Sequence, residues 1–179
     1  MNLYILRHAH AIHNLKKILD ENPKNRTFLT KKGILQAKRK SSLLSKIPID
    51  IIFSSKFPRA IQTAKILNIP HKVKIILDKR LNERKTGIDR QPCKKWRSLI
   101  RKDRFHFKLP GGESFQDEKS RLKSFLKFLK KNHKKYKNVI IVTHGEPVQI
   151  LNGLIKNYSD KKMYHTIVRN AQVFIFKNH

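Results

Sequence analysis

Five short apolar runs punctuate the chain: Leu3–Leu6, Ile49–Phe53, Val73–Leu77, Val139–Val142 and Val173–Phe176. Each is of strand length and bounded by polar or turn residues, and most are rich in Val, Ile or Phe. The stretches between them carry helical spacing instead. A chain that alternates in this way folds as an α/β protein, expected here as a three-layer sandwich with a mostly parallel central sheet and helices on both faces. The pattern leaves the strand order open and leaves room for one antiparallel strand.

The helices have readable starts. Thr30 N-caps a helix expected to run to about Ile47, with Ile34, Ala37 and Leu44 near one face. Pro58 suits the first turn of another, which carries Ile61 and Ala64 inward. Trp96, Leu99 and Ile100 make a short amphipathic segment. Ser114 with Asp117 reads as a capping-box variant opening a long helix, where Leu122, Phe125, Leu126 and Leu129 repeat at helical spacing. A last helix from Pro147 places Val148, Leu151 and Ile155 together.

At 179 residues the chain is expected to form one domain, 1–179, with a substantial core. No apolar run approaches the roughly 18–20 residues that span a bilayer, and no secretory leader pattern opens the chain. The single cysteine, Cys93, excludes an internal disulfide framework and a cysteine-rich zinc site. A cytoplasmic location is the expectation. Lys and Arg number 42 against 12 Asp and Glu, a net charge of +30. Such a field favours anionic partners: small phosphorylated substrates first, with nucleic acid open but not favoured. Lys119, Lys123, Lys127, Lys130 and Lys134 form a stripe opposite the apolar face of the long helix and are expected to be a solvated face. Oligomeric state is not readable.

Ligands of open α/β sheets bind beyond the carboxyl ends of the strands. There the first run delivers Arg7 and His8. The second delivers Ser54, Ser55 and Arg59, the third Arg80, Glu83 and Arg84, the fourth Thr143, His144 and Gly145. These are parts for phosphoryl transfer. A phosphomonoester brings a charge near −2, and the planar forks of Arg7 and Arg59 grip its oxygens. His8 attacks phosphorus through a neutral ring nitrogen, and the flanking arginines disfavour its second proton. Glu83 is placed to protonate the leaving alkoxide. His144 clamps the transferring group, assisted by the Gly145 amide. Glu146 is a second candidate acid, Glu113 is expected to position the long helix, His10 to line the pocket rim and His13 to be exposed.

The same residues resemble the signatures of the histidine phosphatase, or phosphoglycerate mutase-like, superfamily. Its opening Arg-His-Gly-Glu-Thr-x-x-Asn stands here as Arg7-His8-Ala9-His10-Ala11-Ile12-His13-Asn14. Leu29-Thr30-x-x-Gly33-x-x-Gln36-Ala37, Ser54-Ser55-x-x-x-Arg59-Ala60-x-Gln62-Thr63-Ala64, Leu81-Asn82-Glu83-Arg84, Gly111-Gly112-Glu113-Ser114, Val142-Thr143-His144-Gly145 and Asn170-Ala171 follow in family order. The resemblance implies a phosphohistidine on His8, a phosphate pocket of Arg7, Arg59 and His144, Asn14 as a phosphate or water contact, Glu83 as proton donor, and no metal or other cofactor. Ala9, His10 and Ala11 depart from the motif, and histidine is not required at 10 or 13.

The reading that follows is a phosphatase of small phosphomonoesters. A phosphoglycerate mutase is the alternative, since Arg84 suits a substrate carboxylate. The segment between Gly87 and Gly111, which supplies the lid, is short and basic (Lys94, Lys95, Arg97, Arg101, Lys102). A short lid leaves a phosphoenzyme open to water, and its cations suit substrates with extra negative charge. His8-x-His10 after a first strand also begins metal-dependent barrel hydrolases. Barrels need ~250 residues, and Arg59 and Arg84 stand where further ligands belong.

Overall fold

A computed structural model describes residues 1–132 and 135–177. Its strands are β1 (Asn2–Arg7), β2 (Ile51–Ser54), β3 (Ile75–Leu77), β4 (Asn138–Thr143) and β5 (Val173–Phe176). The helices are α1 (Ile12–Lys16), α2 (Lys31–Leu44), α3 (Pro58–Leu67), α4 (Cys93–Leu99), α5 (Phe115–Asn132), α6 (Gly145–Ile155) and α7 (Asp160–Tyr164). The strands form one sheet in the order β3-β2-β4-β1-β5, all parallel except β5, which runs antiparallel to β1. The expected α/β sandwich is therefore present, and the antiparallel strand is the last one.

Side chains alternate across the sheet, so each strand feeds two cores. Leu3, Ile5, Ile51, Phe53, Val139 and Ile141 pack with Leu122, Phe125, Leu129, Val148 and Leu151 of α5 and α6. Tyr4, Leu6, Ile52, Ile140 and Val142 pack with Leu44, Ala60, Ala64 and Leu67 of α2 and α3. Burying each large apolar side chain contributes about 1.5–3 kcal/mol. The central strands are apolar on both faces because helices cover both.

The helix starts behave as their residues dictate. The Thr30 side chain accepts from the Gly33 amide, Pro58 sits in the first turn of α3, and Ser114 and Asp117 cap each other reciprocally at 3.0 and 3.1 Å. The short helices α1 and α7 are additions to the sequence reading. On α5, Lys123, Lys127 and Lys130 are exposed, while Lys119 is tied to Asp160 at 2.5 Å. Lys134 lies outside the described residues. Among the described residues no helix is long and apolar enough to cross a membrane.

Register places the site. Arg7 pairs with Thr143 and Ser54 with Val142, so β1, β2 and β4 stop at one edge. The His8 amide then donates to the Thr143 carbonyl at 2.8 Å, and the Ser55 amide to Val142 at 3.0 Å.

Candidate active site

The loop after β1 is held almost entirely through its backbone. The Ala9 amide donates to Thr63 Oγ1 (3.1 Å), the His10 amide to Gln36 Oε1 (2.9 Å), and the Leu29 amide of the next segment to Gln62 Oε1 (2.9 Å). Asn170 Nδ2 and the Ala171 amide donate to the His8 carbonyl at 3.3 Å each. Gly33 lets α2 lie against this loop, because a Cβ there would stand 2.0 Å from the His10 carbonyl oxygen. Gln36, Gln62, Thr63, Gly33 and Asn170 thus serve as pegs for one strand-end loop. Ala9 and Ala11 are fully buried packing residues, so their departure from the motif removes no peg.

His8 is fully buried. Its Nδ1 lies 2.7 Å from the Ala9 carbonyl oxygen, which can only accept, so Nδ1 carries the proton and Nε2 is left with the lone pair. Arg59 Nε donates to that Nε2 at 3.3 Å. Burial, then the charge of Arg59, holds the His8 pKa well below the ordinary imidazole value. Neutrality is therefore owed to desolvation first and to the arginines second.

Two more imidazoles flank it, with ring centroids 5.1 Å (His144) and 5.3 Å (His13) away. His144 Nε2 lies 2.8 Å from Ser55 Oγ, whose own proton goes to Asn82 Oδ1 at 3.1 Å. The neutral His144 ring then carries its proton on Nε2 and turns a lone pair, Nδ1, inward. Burial and the Arg59 charge push its pKa well down.

Arg59 is 1% exposed. It pairs with Asp20 through NH1 at 2.6 Å, donates NH2 to the Asp20 carbonyl at 2.9 Å, and stacks 4.4 Å from the Phe57 ring centre. Burial lowers its pKa to about 10 against the opposing pull of Asp20. Asp20, one of only 12 acids, was not anticipated from the sequence. It sits in an irregular segment with no periodicity to mark it. Arg7 donates NH1 to the Val168 carbonyl at 2.8 Å and packs against Gly145, the first residue of α6. Three buried nitrogens around His8 have no protein partner: Arg7 Nε, His13 Nδ1 and His144 Nδ1.

Several expectations are corrected. His13 is not exposed; it is half-buried in the wall of the site. His10 does not line the cavity: its ring is partly exposed and bonds Thr30 Oγ1 at 3.0 Å. Arg80 stays outside, paired with Asp78 at 2.5 Å and stacked on Phe128. Glu113 ties the segment before α5 to the body of that helix. It forms a two-pronged pair with Arg121 (2.8 and 2.8 Å), and Arg121 NH1 in turn grips the Arg80 and Asn82 carbonyls, fixing the backbone just before Glu83. Asn14 spends its amide oxygen on the Ala11 amide and Asn170, and donates Nδ2 to His13 Nε2 at 2.9 Å.

Glu83 opens onto the same cavity as Arg7 and Arg59, a space of about 590 Å³. Burial raises its pKa. Behind it stand Glu118, fully buried, and Glu146; oxygens of the three carboxyls lie within 4.8 Å of one another. Glu146 holds Arg84 at 2.8 Å, and Arg84, 3% exposed, lies over the Trp96 ring. Burial and the Glu146 charge push the Glu118 pKa well up, which favours its neutral form. As a cation site the trio fits poorly: Arg84 and Arg121 already engage its carboxyls, with Arg121 NH2 3.4 Å from Glu118. The cavity mouth is lined by Lys16 and Lys17 at the end of α1, and Lys94 and Arg97 of α4. Backbone bonds from Leu19 to Gln91 and Cys93 to Lys17 join these two walls.

A neutral histidine at a strand end, faced by buried guanidinium groups and a high-pKa carboxyl, defines a site for moving an anionic group. The chain belongs to the histidine phosphatase superfamily (branch 1), whose model matches residues 3–179. It is 29% identical over 184 positions to a Hydrogenobacter thermophilus protein named "Putative phosphoserine phosphatase 2", covering 96% of this chain and 86% of that one. It is 24% identical to the adenosylcobalamin/alpha-ribazole phosphatase of Escherichia coli, covering 92% and 84%. The alpha-ribazole phosphatase structure from Shigella flexneri superimposes with a TM-score of 0.88 at 24% identity, over 98% of this chain and 89% of that one. At that identity the structural likeness speaks for the fold.

Proposed function

We propose that the protein hydrolyses small phosphomonoesters in two steps through a phosphohistidine on His8. In the first, His8 Nε2 attacks phosphorus, the P–O bond to the alcohol breaks, and Glu83 gives its proton to the leaving alkoxide. In the second, water attacks the phosphohistidine, Glu83 takes the water's proton, and the P–N bond breaks to release phosphate. Arg7 and Arg59 balance the phosphoryl charge throughout. The entering oxygens take over Arg59 Nε–H, releasing the His8 lone pair for attack.

The observation that carries this reading is the His8 tautomer: Nδ1 bound to a carbonyl, Nε2 unprotonated and facing Arg59. The relatives named as phosphatases support it. His144 joins as a donor when a proton arrives with the substrate monoanion. The four mouth cations favour esters with a second anionic group.

The test is turnover of p-nitrophenyl phosphate and a panel of alkyl phosphates after chelator treatment, with His8→Ala alongside. Activity that survives chelation, vanishes in H8A and passes through an acid-labile phosphoryl-enzyme is the expected result. Undiminished turnover by folded H8A overturns the reading.

A further inference from the structure

One residue of the site has no role in the mechanism above. His13 contributes its ring to the cavity wall beside His8, at a position where the family signature does not require histidine. Its hydrogen bonding settles which nitrogen carries its proton. Asn14 could present either its oxygen or its NH₂ to the ring, but the Ala11 amide donates to Asn14 Oδ1 at 3.0 Å, and Asn170 Nδ2 donates to the same oxygen at 3.3 Å. Those donors fix the amide, so NH₂ faces the imidazole and His13 Nε2 must accept. The proton of the neutral ring then sits on Nδ1. That Nδ1–H is buried and has no protein acceptor, and a buried donor left unpaired is costly.

We propose that His13 Nδ1–H is an uncharged hydrogen-bond donor to the phosphoryl group, with Asn14 acting behind it as the residue that fixes the tautomer. The inference rests on the phosphatase reading and adds a ligand to it. Beside His13 stand the Arg59 and Arg7 cations and His8, whose Nε2 lone pair already accepts from Arg59 Nε, so an incoming anion is the acceptor the His13 donor lacks. Burial, then the Arg59 and Arg7 charges, hold the His13 pKa at about 2, which keeps the ring neutral across the working range. His13 and His144 thus complement each other. One offers N–H at any pH, while the other offers a lone pair until it gains a proton. The arrangement also gives Asn14 a positioning role.

The test compares His13→Asn, whose amide NH₂ can replace Nδ1–H, with His13→Leu, which fills the space without a donor. Binding of inorganic phosphate is measured by calorimetry, and kcat/KM for p-nitrophenyl phosphate in parallel. H13L is expected to weaken phosphate binding about tenfold to a hundredfold, the range for a bond to a charged group. H13N should stay within about threefold of wild type. Nitrogen-15 imidazole spectra of the wild-type protein should show His13 neutral and protonated on Nδ1, with that signal shifting when phosphate is added. H13L that is folded and binds phosphate as wild type does overturns the proposal. So does a His13 signal that ignores phosphate or shows the proton on Nε2, and this readout decides the matter if H13L fails to fold. Should phosphate bind and His8-dependent turnover persist while His13 proves indifferent, this inference alone fails. Loss of His8 dependence would instead sink the phosphatase reading.

Discussion

Asp20→Ala isolates the contact on which the pocket around His8 leans most. Arg59 and Asp20 side chains are each 1% exposed and meet at 2.6 Å. Alanine removes the carboxylate but keeps the backbone carbonyl that takes Arg59 NH2 at 2.9 Å. The loss is therefore that of one charged partner from a buried pair, which costs about 3–5 kcal/mol because the surviving charge is left uncompensated. For a chain of this size each kcal/mol moves Tm by about 2–4 °C, so D20A should melt about 6–20 °C lower. Arg59 also loses the anchor that aims its Nε at His8, and a misplacement near 1 Å lowers turnover about a hundredfold. The assays are differential scanning calorimetry and p-nitrophenyl phosphate kinetics. A D20L/R59M double substitution should recover most of the stability, since apolar residues often replace a buried pair without cost, yet remain inactive. D20A melting within about 2 °C of wild type, with kcat/KM unchanged, would refute the argument that this pair holds the site together.

Glu83→Gln should lower kcat/KM for alkyl phosphates by about 10²–10⁴ and for p-nitrophenyl phosphate far less, because kcat/KM reports the first step and nitrophenolate leaves without a proton; equal losses of kcat/KM on both esters count against the acid role. Burial raises the Glu83 pKa, so kcat for alkyl esters should decline only above the ordinary carboxyl range. Glu118→Gln should gain stability over wild type as pH rises above about 4.3, the ordinary value for glutamate. The raised native pKa means that wild-type stability is full below the unfolded value and is lost on the way up to the native one; a Tm difference that stays flat from pH 5 to 8 contradicts this. K94E/R97E should lose at least about tenfold more kcat/KM on a bisphosphate ester than on p-nitrophenyl phosphate, with a flatter salt dependence; identical losses would remove the mouth cations from substrate selection.

Much of this was legible in the sequence because it follows local rules. The strand runs, the Thr30 cap, Pro58 at a helix start and the Ser114–Asp117 box depend on neighbours within a few residues. Arg7, His8, Arg59, Glu83 and His144 were legible for a related reason. Polar residues that interrupt apolar strands must leave the sheet at its carboxyl edge, and parallel strands share that edge.

What the sequence withheld was every choice made across the sheet. Nothing near Asp20 says that it will meet Arg59, 39 positions away. Glu118 reads as one more charge on a basic helix until α5 and α6 carry it against Glu83 and Glu146. His13 was expected at the surface, and the fold turned it inward. The amino acids themselves determined which chemistry the chain can carry and which segments are strands or helices. Only tertiary packing decided which charges are paired, which ring nitrogens hold protons and which carboxyls stay neutral, because those depend on the solvent that neighbouring elements exclude.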